Sequence, residues 1–215
     1  NNYINIYVMY ILESNQNIDE ICEKYGIQNY TINPDGSIDV DDHVSFPGKK
    51  GLSKIPLKFN KVLGKFLLGG NELTSLEGSP KWVGQDFLCF NNYLTDLKGG
   101  PEYVGRDFFC HSNLLTSLEG CPKHVEGSFY CDNNNLTSLE HIPEYLGDIF
   151  HIPGNPINCL LGYDSMGVEM DLLRAFKSYK IIKDGVINLK RLRYLMQFFD
   201  FDIDEEGIKN NYIVK

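Results

Sequence analysis

Apolar and polar positions fall into one phrase that returns every 21 residues from Phe66 to Leu160. Phenylalanine recurs at Phe66, Phe87, Phe108, Phe129 and Phe150, and asparagine at Asn71, Asn92, Asn113, Asn134 and Asn155. Leucine pairs follow each asparagine (Leu73/Leu76, Leu94/Leu97, Leu115/Leu118, Leu136/Leu139), Ile157/Leu160 closes the series, and prolines stand at Pro80, Pro101, Pro122 and Pro143. A fixed period of this length specifies a repeat solenoid, because each unit can bury its apolar face only against the next.

One unit reads F-x-C-x-x-N-x-L-T-S-L-E-G-x-P-x-x-V-G-x-x, clearest in residues 108–128 and 129–149. Phe and Cys at alternate positions have strand period, which turns both inward and the residue between them outward. The asparagine then turns the chain, and its amide, stacked coil on coil, is expected to satisfy buried backbone groups that the turn would orphan. The E-G-x-P stretch excludes a helix from the return segment and predicts an extended, polyproline-like convex side. Val83, Val104, Val125 and Leu146 add one more apolar knob to each coil. At about 4.8 Å per strand, five or six turns make a parallel sheet roughly 25 Å long.

An open solenoid must hide the two ends of its core, so atypical flanks are expected. Residues 1–43 read as an N-terminal cap, 44–160 as the repeats and 161–215 as a C-terminal cap. In the first, Asn17 with Glu20 resembles a capping box before Ile18, Ile21 and Cys22 and predicts a helix to about Tyr25. The run Ile32-Asn33-Pro34-Asp35-Gly36-Ser37-Ile38 reads as a hairpin feeding the first strand. In the C-terminal cap, Leu172, Leu173, Phe176 and Tyr179 mark one helical stripe. Leu189, Leu192, Leu195, Met196 and Phe199 mark another, across an Asp184-Gly185 turn.

The 215 residues and 42% hydrophobic content suffice for a continuous core, and the formal charge of −9 argues against nucleic acid as a general partner. The first dozen residues lack a basic region and are interrupted by Asn2 and Asn5, which fits neither a signal peptide nor a membrane span, so a cytoplasmic location is expected. Three of the six cysteines (Cys89, Cys110, Cys131) share one repeat position and read as reduced core residues. No C-x-x-C pair points to zinc, and Thr31–Asp42 imitates a calcium loop through Asn33, Asp35, Gly36, Asp39 and Asp42 but is better explained as the hairpin. There is no G-x-S-x-G or phosphate loop, and the histidines (His43, His111, His124, His141, His151) are scattered, so no catalytic residues, cofactor or metal are expected.

F-x-C-x-x-N-x-L-x-x-L resembles the leucine-rich repeat pattern L-x-L-x-x-N-x-L-x-x-L, with Phe and Cys in two leucine slots. The resemblance covers about residues 44–160. Its first turn is irregular, since Leu52/Ile55 and Val62 keep register while Val44 and Phe46 are shifted by one residue. The short unit is similar to the compact bacterial subclass, and N-x-L-T-S-L-E-G-x-P to repeat proteins encoded by large phages. The resemblance implies a right-handed parallel β-solenoid with helical caps that works as a protein interaction scaffold on its concave sheet. For a phage product it also implies a host or phage protein as partner, with inhibition of a host defence protein as one use.

Strand alternation names that concave face. Leu67, Leu88, Phe109, Tyr130 and His151 point outward between Phe and Cys, and Gly69, Phe90, His111, Asp132 and Pro153 follow the Cys position. Leu88, Phe90, Phe109, His111 and Tyr130 are thereby expected to form an aromatic partner-binding patch, with Asp86, Asp107 and Asp132 at its border. The same face would also serve as a stacking platform for a small molecule or nucleotide, or for self-association. A second candidate is basic: Arg174, Lys177, Lys180, Lys183, Lys190, Arg191 and Arg193 stand against Asp184 alone. Arg174, Lys177 and Lys180 recur at helical spacing, which suits phosphate or an acidic protein, and the island would carry an alternative, nucleic-acid-associated role through the C-terminal cap. The plainer reading is a solvated face balanced by Asp200, Asp202, Asp204, Glu205 and Glu206.

Overall fold

The computed structural model describes residues 17–48, 51–160, 170–183, 186–199 and 204–214. The repeats wind into a parallel β-solenoid of about five turns. Each full coil contributes two short strands, separated by a three-residue corner. In the third coil these are Trp82–Val83 and Phe87–Leu88. The second strand of each pair builds a six-stranded parallel sheet running from Val44–Ser45 through Phe66–Leu67, Phe87–Leu88, Phe108–Phe109 and Phe129–Tyr130 to Phe150–His151. The first strand of each pair joins a seven-stranded sheet, ending in Tyr103–Val104, His124–Val125 and Tyr145–Leu146.

This second ladder corrects the expectation of a polyproline-like return. The segment before the corner donates and accepts between coils, as Gly84 N–H does to Val62 O and Gly105 N–H to Val83 O. A polyproline helix makes no such bonds. What was read as a lone valine knob is the inward half of a strand.

Stacking at strand spacing explains the core. Phe66, Phe87, Phe108, Phe129 and Phe150 are fully buried, with successive ring centroids 4.9–5.6 Å apart and planes within 20°. This is the offset-stacked geometry that aromatic pairs favour. Beside them Leu68, Cys89, Cys110, Cys131 and Ile152 fill one buried column, a slot for a compact apolar side chain. Burial pushes the thiols of Cys89, Cys110 and Cys131 well up, so they stay protonated at neutral pH.

The asparagine column does what its position predicts. Asn113 donates through its amide to Cys110 O of its own coil and to Cys89 O of the preceding one, and its side-chain oxygen accepts from Leu94 N–H. Asn92, Asn134 and Asn155 repeat the arrangement. Each amide therefore closes a turn and ties two coils together, which leaves few orphaned groups inside the bend. At the return bend, Gly120 has φ +85°, and an added Cβ would stand 2.5 Å from Lys98 N, so this turn admits little besides glycine.

At the front, residues 17–25 are helical (α1). Cys22 is buried and Tyr25 sets its ring edge against Phe46 at 5.0 Å. The expected hairpin is present: Tyr30–Ile32 pairs antiparallel with Ile38–Val40, closed by Gly36 N–H to Asn33 O and Ser37 to Asp35. Lys58 also pairs with Asp35 at 2.6 Å, and with Ser37 it holds that carboxyl well below the usual carboxylate range. Ile38–Val40 already pairs in parallel with Phe59–Val62. Val44 takes the phenylalanine slot opposite Phe66, so the one-residue shift of the first turn falls after Phe46.

At the back, helices α2 (Met170–Ser178), α3 (Leu189–Phe199) and α4 (Glu205–Asn211) follow a 3₁₀ turn over Pro156–Leu160. Between α2 and α3 the sequence predicts only a turn. The structure has strands Ile182–Lys183 and Val186–Ile187, joined by Ile213–Val214 in a small sheet. Asp184 and Gly185, with residues 1–16, 49–50, 161–169, 200–203 and 215, lie outside the described residues. Ile208 and Tyr212 are buried, and Tyr212 donates to Thr137 O at 2.9 Å, which ties the segment to the last coils.

Candidate functional site

The six-stranded sheet carries the expected face. Leu88, Phe90, Phe109, His111 and Tyr130 all lie half-buried on it. Phe109 stacks on Tyr130 at 4.6 Å and Phe90 on His111 at 4.8 Å, both with planes 4° apart. Phe109 and His111 meet edge to face at 6.4 Å, which joins the two columns into one patch. The neighbour on the other side of Phe90 is Gly69, where an added Cβ would stand 2.6 Å from the ring. The rings are thus held by each other before any partner arrives.

Two of the three aspartates serve the backbone. Asp86, at the corner, pairs with Lys65 at 2.7 Å and accepts from Asp107 N–H. Asp107 accepts from Ser128 N–H at 2.8 Å one coil further on. Both carboxylates satisfy the corner backbone, which accounts for their repeat position without a ligand. Asp132 belongs to the patch, 3.2 Å from His151 Nδ1, and accepts from the Asn133 amide.

A second aromatic column escaped sequence reasoning. Trp82, Tyr103, His124 and Tyr145 stack on the outward side of the seven-stranded sheet at 5.4, 5.1 and 4.2 Å. Lys61 sits over the Trp82 ring at 4.7 Å and closes one end. The signal was there: W-V, Y-V, H-V and Y-L pairs at the 21-residue period alternate as F-L and F-F do, with the outward residue first instead of second. This column is a single file whose ring faces are spent on one another up to Tyr145, 44% exposed at its end, whereas the other sheet presents two columns side by side.

The basic residues scatter. α2 ends at Ser178, and Lys180 stands beyond it with φ +48°, so Arg174, Lys177 and Lys180 do not share one helix face. Arg174 lies 3.6 Å from Asp171, Arg193 pairs with Glu205 at 2.6 Å, and Arg191 donates to Tyr179 O at 3.2 Å. Lys180 and Lys190 are exposed. The side chains of Lys177, Lys183, Leu172, Phe176 and Phe199 lie outside the described part. Of the other stripe residues, Leu173, Leu192, Leu195 and Met196 are buried, and Tyr179 is exposed.

Among the described residues no group of three His, Cys, Asp or Glu side chains is placed to hold a metal ion, and no helix is long and apolar enough to cross a membrane. Fold and surface define the chain as a parallel β-solenoid with an aromatic sheet face. Comparison with models of known protein families, with curated proteins and with solved structures finds no match.

Proposed function

We propose that this chain is a non-enzymatic protein interaction module, a leucine-rich-repeat-like solenoid closed at both ends by helical caps. The observation that carries this reading is the joined patch of Leu88, Phe90, Phe109, His111 and Tyr130. Half-buried aromatic side chains already locked in stacks bring contact area at little further entropic cost, which is what a binding anchor requires. His111 and Asp132 supply the polar contacts that orient a partner. If the likeness to phage-encoded repeat proteins extends to use, the partner is a host protein, with a defence factor as one target.

The test is an affinity pull-down from host lysate, wild type beside Phe109→Ala/Tyr130→Ala, with nuclease treatment and a salt series. A protein recovered by the wild type and lost by a mutant of unchanged melting temperature supports the reading. Recovery that survives both substitutions overturns it.

A further inference from the structure

The C-terminal segment exposes aromatic rings among cations. Tyr179 is 45% exposed and Tyr194 60%, and their centroids stand 6.3 Å apart at a 45° tilt, so neither ring face is closed by the other. On α3, Lys190 precedes Tyr194 by four residues and Arg191 by three, which sets all three on one side of the helix. The opposite side holds Leu192, Leu195 and Met196, all buried. Lys180 follows directly on Tyr179 and is exposed. Phe198, 74% exposed, continues the face one turn on.

We infer that this surface binds a short stretch of single-stranded nucleic acid, with bases stacked on Tyr194 and Tyr179 and phosphates met by Lys180, Lys190 and Arg191. Three arguments select this occupant. The first is charge: in a chain of net −9, Lys180, Lys190 and Arg191 stand exposed by these rings, a local imbalance that attracts a polyanion while the rest repels it. That imbalance also limits the contact to a few nucleotides. The second is that Arg193 and Arg174 are compensated by Glu205 and Asp171, whereas Lys180 and Lys190 meet no carboxylate among the described residues. The third is the pairing of tyrosine with cations on one face. A bilayer-binding helix turns an aliphatic face outward, and here that face is already buried; a duplex hides its bases, and open tyrosine rings need them exposed.

The full chain is titrated into a fluorescein-labelled oligothymidylate or oligouridylate of about 12 nucleotides, within the span of one small module, and anisotropy is read across a salt series. Tyr194→Ala is expected to weaken binding about tenfold, the typical loss of one stacked base. Tyr194→Phe keeps the ring and holds affinity within about twofold. Three phosphate contacts give a slope of log affinity against log salt near about −2, and Lys190→Gln with Arg191→Gln flattens it to about −0.7. Circular dichroism melts check that each variant is folded. Absence of binding at low salt overturns the inference, as does unchanged affinity of folded Tyr194→Ala. Polyglutamate or phosphatidylserine vesicles held as tightly as the oligonucleotide overturn it in favour of an acidic protein or a membrane surface.

Discussion

The solenoid and the C-terminal segment treat their aromatic side chains in opposite ways. In the coils almost every ring has another coil's ring on its face, because parallel register returns the same residue at strand spacing: five phenylalanines stack inside, and Trp82, Tyr103, His124 and Tyr145 stack outside. The C-terminal segment has no register to repeat, and Tyr179, Tyr194 and Phe198 meet solvent among cations. Repetition thus closes ring faces by construction, and an open ring face is informative where repetition ends. Within the solenoid, two columns side by side still leave a usable area, as in the patch around Phe109.

If the coils act as one stack, the largest loss comes from its middle. Phe108→Ala empties a site between two ring partners and should lower stability by about 3–5 kcal/mol, read by urea denaturation; a loss under about 1 kcal/mol would show that the ring stack contributes little. Asn113→Ala leaves Leu94 N–H without its partner and removes one of two amide donors from Cys89 O and from Cys110 O, which keep Asn92 and Asn134, and should cost about 2 kcal/mol, since an orphaned buried group costs about 1–3 kcal/mol. Leu192→Ala sharpens the contrast between the regions. Its cost of about 2 kcal/mol should appear as faster amide exchange within residues 170–199, with residues 66–150 unchanged; equal acceleration in both would mean that solenoid and C-terminal segment unfold together. Ser112→Gly is the smallest change. Ser112 sits at φ +55° where Gly70 and Gly154 stand in other coils, and glycine there should raise stability by up to about 1 kcal/mol, seen as a higher melting temperature.

Much of the coil was legible because repetition amplifies weak signals. One Asn in a turn says little, but five at one period announce a ladder, and alternation around Phe109 and Tyr130 named the outward patch directly. The second sheet was missed because Trp82-Val83 follows a glycine and proline turn that argues against pairing, whereas Phe87-Leu88 runs on to Cys89 and so shows its alternation. That Asp86 and Asp107 accept from the next coil's backbone could not be read, because no local pattern tells a carboxylate facing a ligand from one facing that N–H. In the C-terminal segment a helical stripe could be read for α3, but Lys180 was placed on a helix that stops at Ser178.

By itself, then, the sequence determined the period, the inward positions and the turn residues, since each follows from local chemistry repeated at fixed spacing. Only the tertiary structure decided that the return leg pairs into a second sheet, which carboxylates are consumed by the backbone, and which rings keep an open face. Those outcomes depend on what lies one coil away or across the C-terminal segment, and a contact between residues distant in the chain leaves no mark on the pattern of either one.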